Sequence, residues 1–317
     1  MPYKLIKRVG ELLAVLLVVS FGTFSLMSLM PGDPAVTILG DGRTPEEYAA
    51  VRTELGLDDP LLTRYWHWLS SALTGDLGQS VIPPHTEVTA RVAAALPVSV
   101  ELALLGLVLA LVLSVPLAMW SASHEGKRVD RFISAGTFGM LSVPSFLAGL
   151  LIIMVMVNQL GWFPRSEWVR LSEDFGGNLY HAFLPACVIA FTETAMFTRI
   201  LRNDLISTLR EDFILSAKAK GMSTLHVLVS DALRPSSFSM ITVLGISLGR
   251  LIGSTVIVEY LFALPGMGTL VVGSASNGDF RMVQGAVMVI ALIYIAANAL
   301  IDASYGYLDP RIRRAHV

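Results

Sequence analysis

Glu101, Glu193 and Arg250 each interrupt a long apolar run. An ionised side chain at mid-bilayer costs about 2.5–3.5 kcal/mol on insertion scales, so a charge kept inside such a run is a candidate for function. Counting ~1.5 Å of helix rise per residue, Glu193 lies roughly 18 Å from the outer start of its run and Arg250 roughly 18 Å from the inner start of its own. Opposite charges at similar depth can pair, and the plain alternative to a functional role is an ion pair that only holds two helices together. Glu101, nearer the end of its run, can stretch toward the interface. Other chemistries lack parts. Ser254 follows Gly253 inside an apolar run, but a serine nucleophile needs a base within hydrogen-bond reach. None of His67, His85, His124, His181, His226 and His316 falls in mid-run, and His124-Glu125 begins an HExxH that is not completed. Cys187 stands alone and reads as a small buried hydrophobe. No GxxxxGK[ST] occurs to cradle nucleotide phosphates.

The elements that must position these charges are membrane spans. Of 317 residues, 54% are hydrophobic and 15% charged, and the mean hydropathy is +0.64. That composition is too apolar for an ordinary soluble domain, and a net charge of -2 with dispersed bases excludes a nucleic-acid binder. A bilayer core of roughly 30 Å needs about 20 apolar residues per helix. Six stretches qualify, near 9–30, 97–120, 132–157, 181–200, 238–263 and 282–303. The first follows basic residues as a signal peptide does, but its apolar run has no small-x-small cleavage pattern, so it reads as a retained helix. Most bases fall on one side: Lys4, Lys7 and Arg8; Lys127, Arg128 and Arg131; Arg199, Arg202, Arg210, Lys218, Lys220 and Arg234; Arg311, Arg313 and Arg314. By the positive-inside rule that side, with both termini, is the cytoplasm.

The expected division is an N-terminal helix over 1–30, an extracytoplasmic helical subdomain over 31–96, a membrane core over 97–303 and a cytoplasmic tail over 304–317. In the outer subdomain, Thr44, Pro45 and Glu47 form a capping-box pattern, and Asp59-Pro60 starts a second helix with Leu61, Leu62, Tyr65, Trp68, Leu69 and Leu73 at helical spacing. Gly75 and Gly78 end it. This subdomain reads as a folded outer cap, a docking surface for an external partner, or both. On the cytoplasmic side, over 201–237, Ala217, Ala219 and Gly221 alternate with Lys218 and Lys220, followed by Met222 and Ser223. The spacing predicts a short helix from Glu211 to Lys220 ended by Gly221, then a second, capped by Ser223 and running to Pro235. Small residues let another surface approach the backbone closely; the alternative is a helix pair resting on lipid. Gly106, Gly136, Gly139, Gly149, Gly245, Gly249 and Gly253 in the spans predict close helix packing. Pro265, Gly266 and Gly268 in EYLFALPGMGTL break the fifth span into a re-entrant or tightly turning outer segment, or a plain outer loop.

AKAKGMS followed by ALRP resembles the EAA-type loop of ABC importer permeases, with Leu215 and Ser216 where the general motif has Glu and Ala. Thr44-Pro45-Glu46, ELGLDDPL, RYWHWL, GDLGQS and the terminal YLDPRIRR resemble the dipeptide/oligopeptide group, B-type subunit, so the likeness runs along nearly the whole chain. It implies an all-α integral membrane protein of the type I importer fold, with six transmembrane helices and a small helical extracytoplasmic domain. The cytoplasmic loop would be a coupling helix seated in a cleft on a separate ATPase subunit, with Ala217, Ala219 and Gly221 permitting the fit, Lys218 and Lys220 meeting acceptors and Met222 packing inward. Further implied partners are a second homologous permease subunit, two ATPases carrying ATP and magnesium, an external solute-binding protein, lipid and a peptide cargo. No cofactor is implied on this chain. Glu193 and Arg250 would then lie near the translocation path, bridged to each other or facing opposite peptide termini, and Pro265, Gly266 and Gly268 would form an outer gate or docking lip. Members of the group move dipeptides, longer peptides, nickel complexes or glutathione. A stand-alone secondary carrier is the rival reading; such carriers often show inverted repeats and paired broken helices, which these spans lack.

Overall fold

A computed structural model describes residues 2–29, 34–40, 42–54 and 56–308. In chain order the helices are α1 (Pro2–Ser28), α2 (Pro34–Leu39), α3 (Pro45–Glu54), α4 (Leu61–Leu73), α5 (Val88–Ser123), α6 (Arg128–Ser142), α7 (Ser145–Ile152), α8 (Phe175–Thr208), α9 (Asp212–Ala219), α10 (Thr224–His226), α11 (Leu233–Ser254), α12 (Val256–Leu261), α13 (Met267–Ser276) and α14 (Phe280–Leu308). Two π-helical stretches, Ile153–Gln159 and Val227–Ala232, follow α7 and α10. The tail bases Arg311, Arg313 and Arg314 lie outside the described residues.

Among the described residues, helices over Gly10–Ser28, Val88–Ser123, Phe175–Thr208 and Phe280–Ala299 are long and apolar enough to cross a membrane. The expected third span is not one rod. Arg128–Ser142 and Ser145–Gln159 meet at a bend of 100°. Pro144 causes it: proline lacks an N–H and disfavours the α conformation in the residue before it, and Val143 is extended at φ -92°, ψ 122°. The fifth expected span, 238–263, falls across α11 and α12; α11 reaches about 33 Å over 22 residues, but among the described residues it is not one of the helices apolar enough to qualify as a span by length and composition. Span two begins earlier than its apolar run suggests, because α5 carries on from Val88 for 36 residues.

By contact the chain divides into two compact units, Met1–Ser99 with Pro265–Ala296, and Val100–Leu264 with Ala297–Val317. In the first, the capping box forms: the Thr44 N–H donates to Glu47 Oε2 at 2.8 Å and the Glu47 N–H to Thr44 Oγ1 at 3.3 Å. These bonds to Thr44 hold the Glu47 carboxyl below its ordinary pKa. α4 buries Tyr65 and Leu69 against Phe24 and Met288, with Leu61 and Trp68 packed beside them. Tyr65 and Ser20 share a hydrogen bond of 2.8 Å, so α4 lies along the outer half of α1. Leu62 and Leu73, expected on the same apolar face, are 69% and 73% exposed. Buried Asp279 accepts from Ser80 Oγ and from the N–H groups of Val81 and Met282, pinning the loop before α5 to the first turn of α14.

In the second unit α8 is the central helix, packed by α6, α7 and α11. Two glycines allow close approach. A Cβ at Gly106 would stand 2.5 Å from Ile189 Cγ2, and one at Gly149 3.0 Å from Leu261 Cδ1. Gly136, Gly139 and Gly253 have nothing within 4 Å of that position, so their smallness is not used for packing inside this chain.

Candidate functional site

α8 and α11 bring two of the sequence candidates together. Arg250 Nη2 donates to Glu193 Oε1, and Ser247 Oγ donates to Glu193 Oε2 at 2.8 Å. Ser247 and Arg250 are three residues apart on α11, the spacing that places two side chains on one helix face. The two charges differ in exposure: the Glu193 side chain is 3% exposed and the Arg250 side chain 53%. Glu193 is therefore an anchor with both oxygens engaged, while the guanidinium, with five N–H donors, keeps a free edge. Glu101 is not part of this group. Gly106 of α5 faces Ile189 and Ser121 faces Arg202, so α5 and α8 run parallel, and Glu101 stands about 13 Å outward of the Glu193 level. One of its carboxylate oxygens is buried without a hydrogen-bond partner, and Asn178 lies beside it.

The cytoplasmic segment forms the first predicted helix as α9, whose C-cap is Lys220, followed by Gly221 at φ +80°. Ser223 accepts from the His226 N–H at 3.4 Å. The second predicted helix does not stop at Pro235. Residues from Thr224 continue through the π-helical stretch into α11, so Pro235, the third residue of α11, lies inside a continuous helical run just after the π-helical turns, without ending it. Ile214, fully buried, seats α9 beside Val227, Leu228 and Ala232, which are buried too. The opposite side is open: Phe213 is 51% exposed, Leu215 54%, Met222 42% and Leu225 68%. Lys218, Ala219, Lys220, Gly221 and Ser223 are exposed and Ala217 is half-buried.

At the outer segment α12 ends at Phe262, and Ala263 takes φ +50° while the Leu264 N–H returns to the Glu259 carbonyl at 2.9 Å. Beyond Pro265, Gly266 is extended and caps α13; the Met267 N–H donates to Ser99 Oγ at 2.8 Å, and Met267 and Gly268 are buried. The sequence reading passed over Glu259, which is fully buried and accepts from Thr255 Oγ1 at 2.8 Å. It also passed over a cluster at the inner ends of α5, α6 and α8. Arg202 forks onto Asp130 with Nε–Oδ1 at 2.6 Å and Nη2–Oδ2 at 2.7 Å; Ser121 Oγ donates to Oδ1 at 2.6 Å and the Gly126 N–H to Oδ2 at 2.9 Å. The Arg202 fork holds the Asp130 carboxyl well below the usual carboxylate range, and Asp130 in turn raises Arg202. Charges at span ends had served only as topology markers; the usable signal was an Asp in the first turn of a helix that opens on basic residues.

Comparison with known proteins fits this geometry. Residues 114–314 match the family described as "Binding-protein-dependent transport system inner membrane component", and residues 1–101 match "Binding-prot-dependent transport system membrane comp, N-term". A protein of Brucella abortus named as a peptide transport system permease is 34% identical over 98% of this chain and 98% of its own. The oligopeptide transport system permease protein AppB of Bacillus subtilis is 32% identical over 97% and 98%. Among solved structures, an amino acid ABC transporter crystallised with histidines covers 70% of this chain and 94% of its own at a TM-score of 0.51 and 15% identity, a likeness of fold. Two family matches that follow one another along nearly all of the sequence, and relatives matched from end to end, leave one assignment: this chain belongs to the family of inner membrane components of binding-protein-dependent transport systems.

Proposed function

We propose that this chain is the permease subunit of an ATP-driven importer that passes peptides from an external solute-binding protein into the cytoplasm. The observation that carries the reading is the end-to-end likeness to relatives named for peptide and oligopeptide transport. Its partners are a second, homologous permease subunit and two ATPase subunits that bind ATP and magnesium; no cofactor belongs to this chain. Both termini are cytoplasmic in this reading, which the distribution of bases supports. The exposed face of α9, with Ala217 to Ser223 at its end, is the coupling surface. Phe213, Leu215 and Met222 supply apolar contact, and Gly221 turns the chain where a side chain would be strained.

The half-open Arg250 faces the translocation path. A guanidinium at that depth is not left against hydrocarbon, so it faces a water-filled cavity or the second permease subunit, and its free edge suits a peptide carboxylate. Glu193, buried behind it, fixes its position. Glu101, about 13 Å outward of Glu193, lies near the outer mouth of the route, and the turn at Pro265, Gly266 and Gly268 is by itself a candidate outer gate.

The test is a gentle-detergent pull-down of the tagged chain from its native membranes, with mass spectrometry, repeated for Gly221→Trp. A second permease and ATPases with the wild type, and ATPases lost from the variant, are expected. A chain that comes down alone and still takes up solute on an ion gradient would make a secondary carrier the working description.

A further inference from the structure

The α9 segment hangs between two helices that are tied together on either side of it. At its base, Ser236 Oγ at the start of α11 donates to Thr208 Oγ1 at the end of α8, 2.8 Å away. Fifteen residues up α8 from Thr208 stands Glu193, bonded to Ser247 and Arg250 of α11. The two helices are thus cross-linked by polar contacts at two levels, and the loop from Leu209 to Ala232 is inserted at the lower one.

A second tie grips α8 from the other side. Asp130 is 4% exposed, yet each of its oxygens accepts two hydrogen bonds, from Arg202 and Ser121 on one and from Arg202 and the Gly126 N–H on the other. Arg202 Nε also reaches Ser121 Oγ at 3.0 Å. Just beyond α8, Arg210 Nη2 bonds Glu125 Oε1 at 2.7 Å on the α5–α6 turn. A bidentate guanidinium–carboxylate pair fixes orientation as well as distance, and a network with every member satisfied is stiff. Helix ends ordinarily fray, and a push on an adjoining segment is then absorbed in the last turn. Here the last two turns of α8 are held to the α5–α6 turn on one side and to α11 on the other.

We propose that the Ser121–Asp130–Arg202 brace is a positioning device for energy coupling. It makes the inner ends of α5, α6, α8 and α11 one body, so that displacement of α9 reaches the Glu193–Arg250 level instead of being lost in the end of α8. The proposal rests on the reading of α9 as the coupling surface, and in it the brace acts through α8 rather than by contact with ATPase or cargo.

The test uses the transporter purified from native membranes and reconstituted in liposomes, with ATP hydrolysis and peptide uptake measured separately. Asp130→Asn and Arg202→Gln should keep the ATPases bound and hydrolysis within about twofold of wild type while uptake falls by about tenfold or more. Arg202→Lys, which keeps the charge and loses the fork, should be intermediate. Hydrolysis and uptake falling in proportion, or uptake unchanged, would overturn the proposal. Where a variant does not assemble, a second measurement decides. In a Cys187→Ser background, spin labels at Arg128→Cys and Ser207→Cys should keep their separation within about 2 Å between the nucleotide-free and ATP-trapped states, and a larger shift sinks the single-body claim. Failure of the coupling reading itself looks different: Gly221→Trp then retains its ATPases whatever the brace variants do.

Discussion

Glu193 and Arg250 share a bond but not an environment. Neutralising the buried partner leaves Arg250 without its anchor, whereas removing Arg250 leaves a carboxylate that Ser247 still bonds. Arg250→Met is expected to lower ATP-driven uptake by about tenfold or more, and Glu193→Gln to lower both uptake and thermal stability, each checked in reconstituted liposomes and by a melting scan. Unchanged uptake in both variants would reduce the pair to a helix fastener. Asp130 gives a prediction in pH. Its carboxyl is depressed in the folded state by the Arg202 fork, so the stabilisation is fully present above the unfolded carboxylate value near ~4 and is lost as pH falls below it toward the folded value. The melting difference between wild type and Asp130→Asn should therefore be flat from about pH 5 to 8 and shrink below about pH 4. A difference that narrows already between pH 8 and 6 would mean that another group supplies it.

Among the elements, the contact of α5 with α8 turns on a missing methyl group. A Cβ at Gly106 would meet the branched end of Ile189 at 2.5 Å with the Ala186 carbonyl at 3.4 Å behind it, whereas at Gly149 the nearest atom is the flexible tip of Leu261. Gly106→Ala should destabilise by about 1–3 kcal/mol and be relieved in part by Ile189→Ala; Gly149→Ala should cost less, as denaturant or thermal unfolding in detergent can show. At the end of α9, Gly221→Asn should assemble better than Gly221→Val, because asparagine tolerates positive φ and a β-branched residue does not. Copurification of the ATPases would read this out directly. Much of this was legible beforehand: the α9 stop at Gly221, the capping box of α3 and the pairing of Glu193 with Arg250 each follow from local chemistry or from depth. What was not legible depended on tertiary placement. Pro144 marks a break, but nothing in the run says that it turns by 100°. Leu62 and Leu73 share a helical stripe with Tyr65, and only the width of the α1 surface decides that they stay outside. Asp130 and Arg202 are 72 residues apart, and a charge at a span end looks the same whether it is hydrated or forked.

For the whole molecule, the proposed importer predicts that this chain purified without its ATPases and placed in liposomes takes up no peptide on a proton or sodium gradient, while the complete assembly does so with ATP. Gradient-driven uptake by the lone chain would overturn the importer reading. The half-open guanidinium of Arg250 has a further consequence, for biogenesis. Before a second subunit or an internal cavity is in place, the same charge has only lipid to face, at a cost of about 2.5–3.5 kcal/mol on insertion scales. An unassembled copy thus carries its own mark of incompleteness. Cells that make this chain in excess of its partner should degrade the surplus faster than an Arg250→Met version of it, so that membrane proteolysis, rather than transcription alone, would set the subunit ratio.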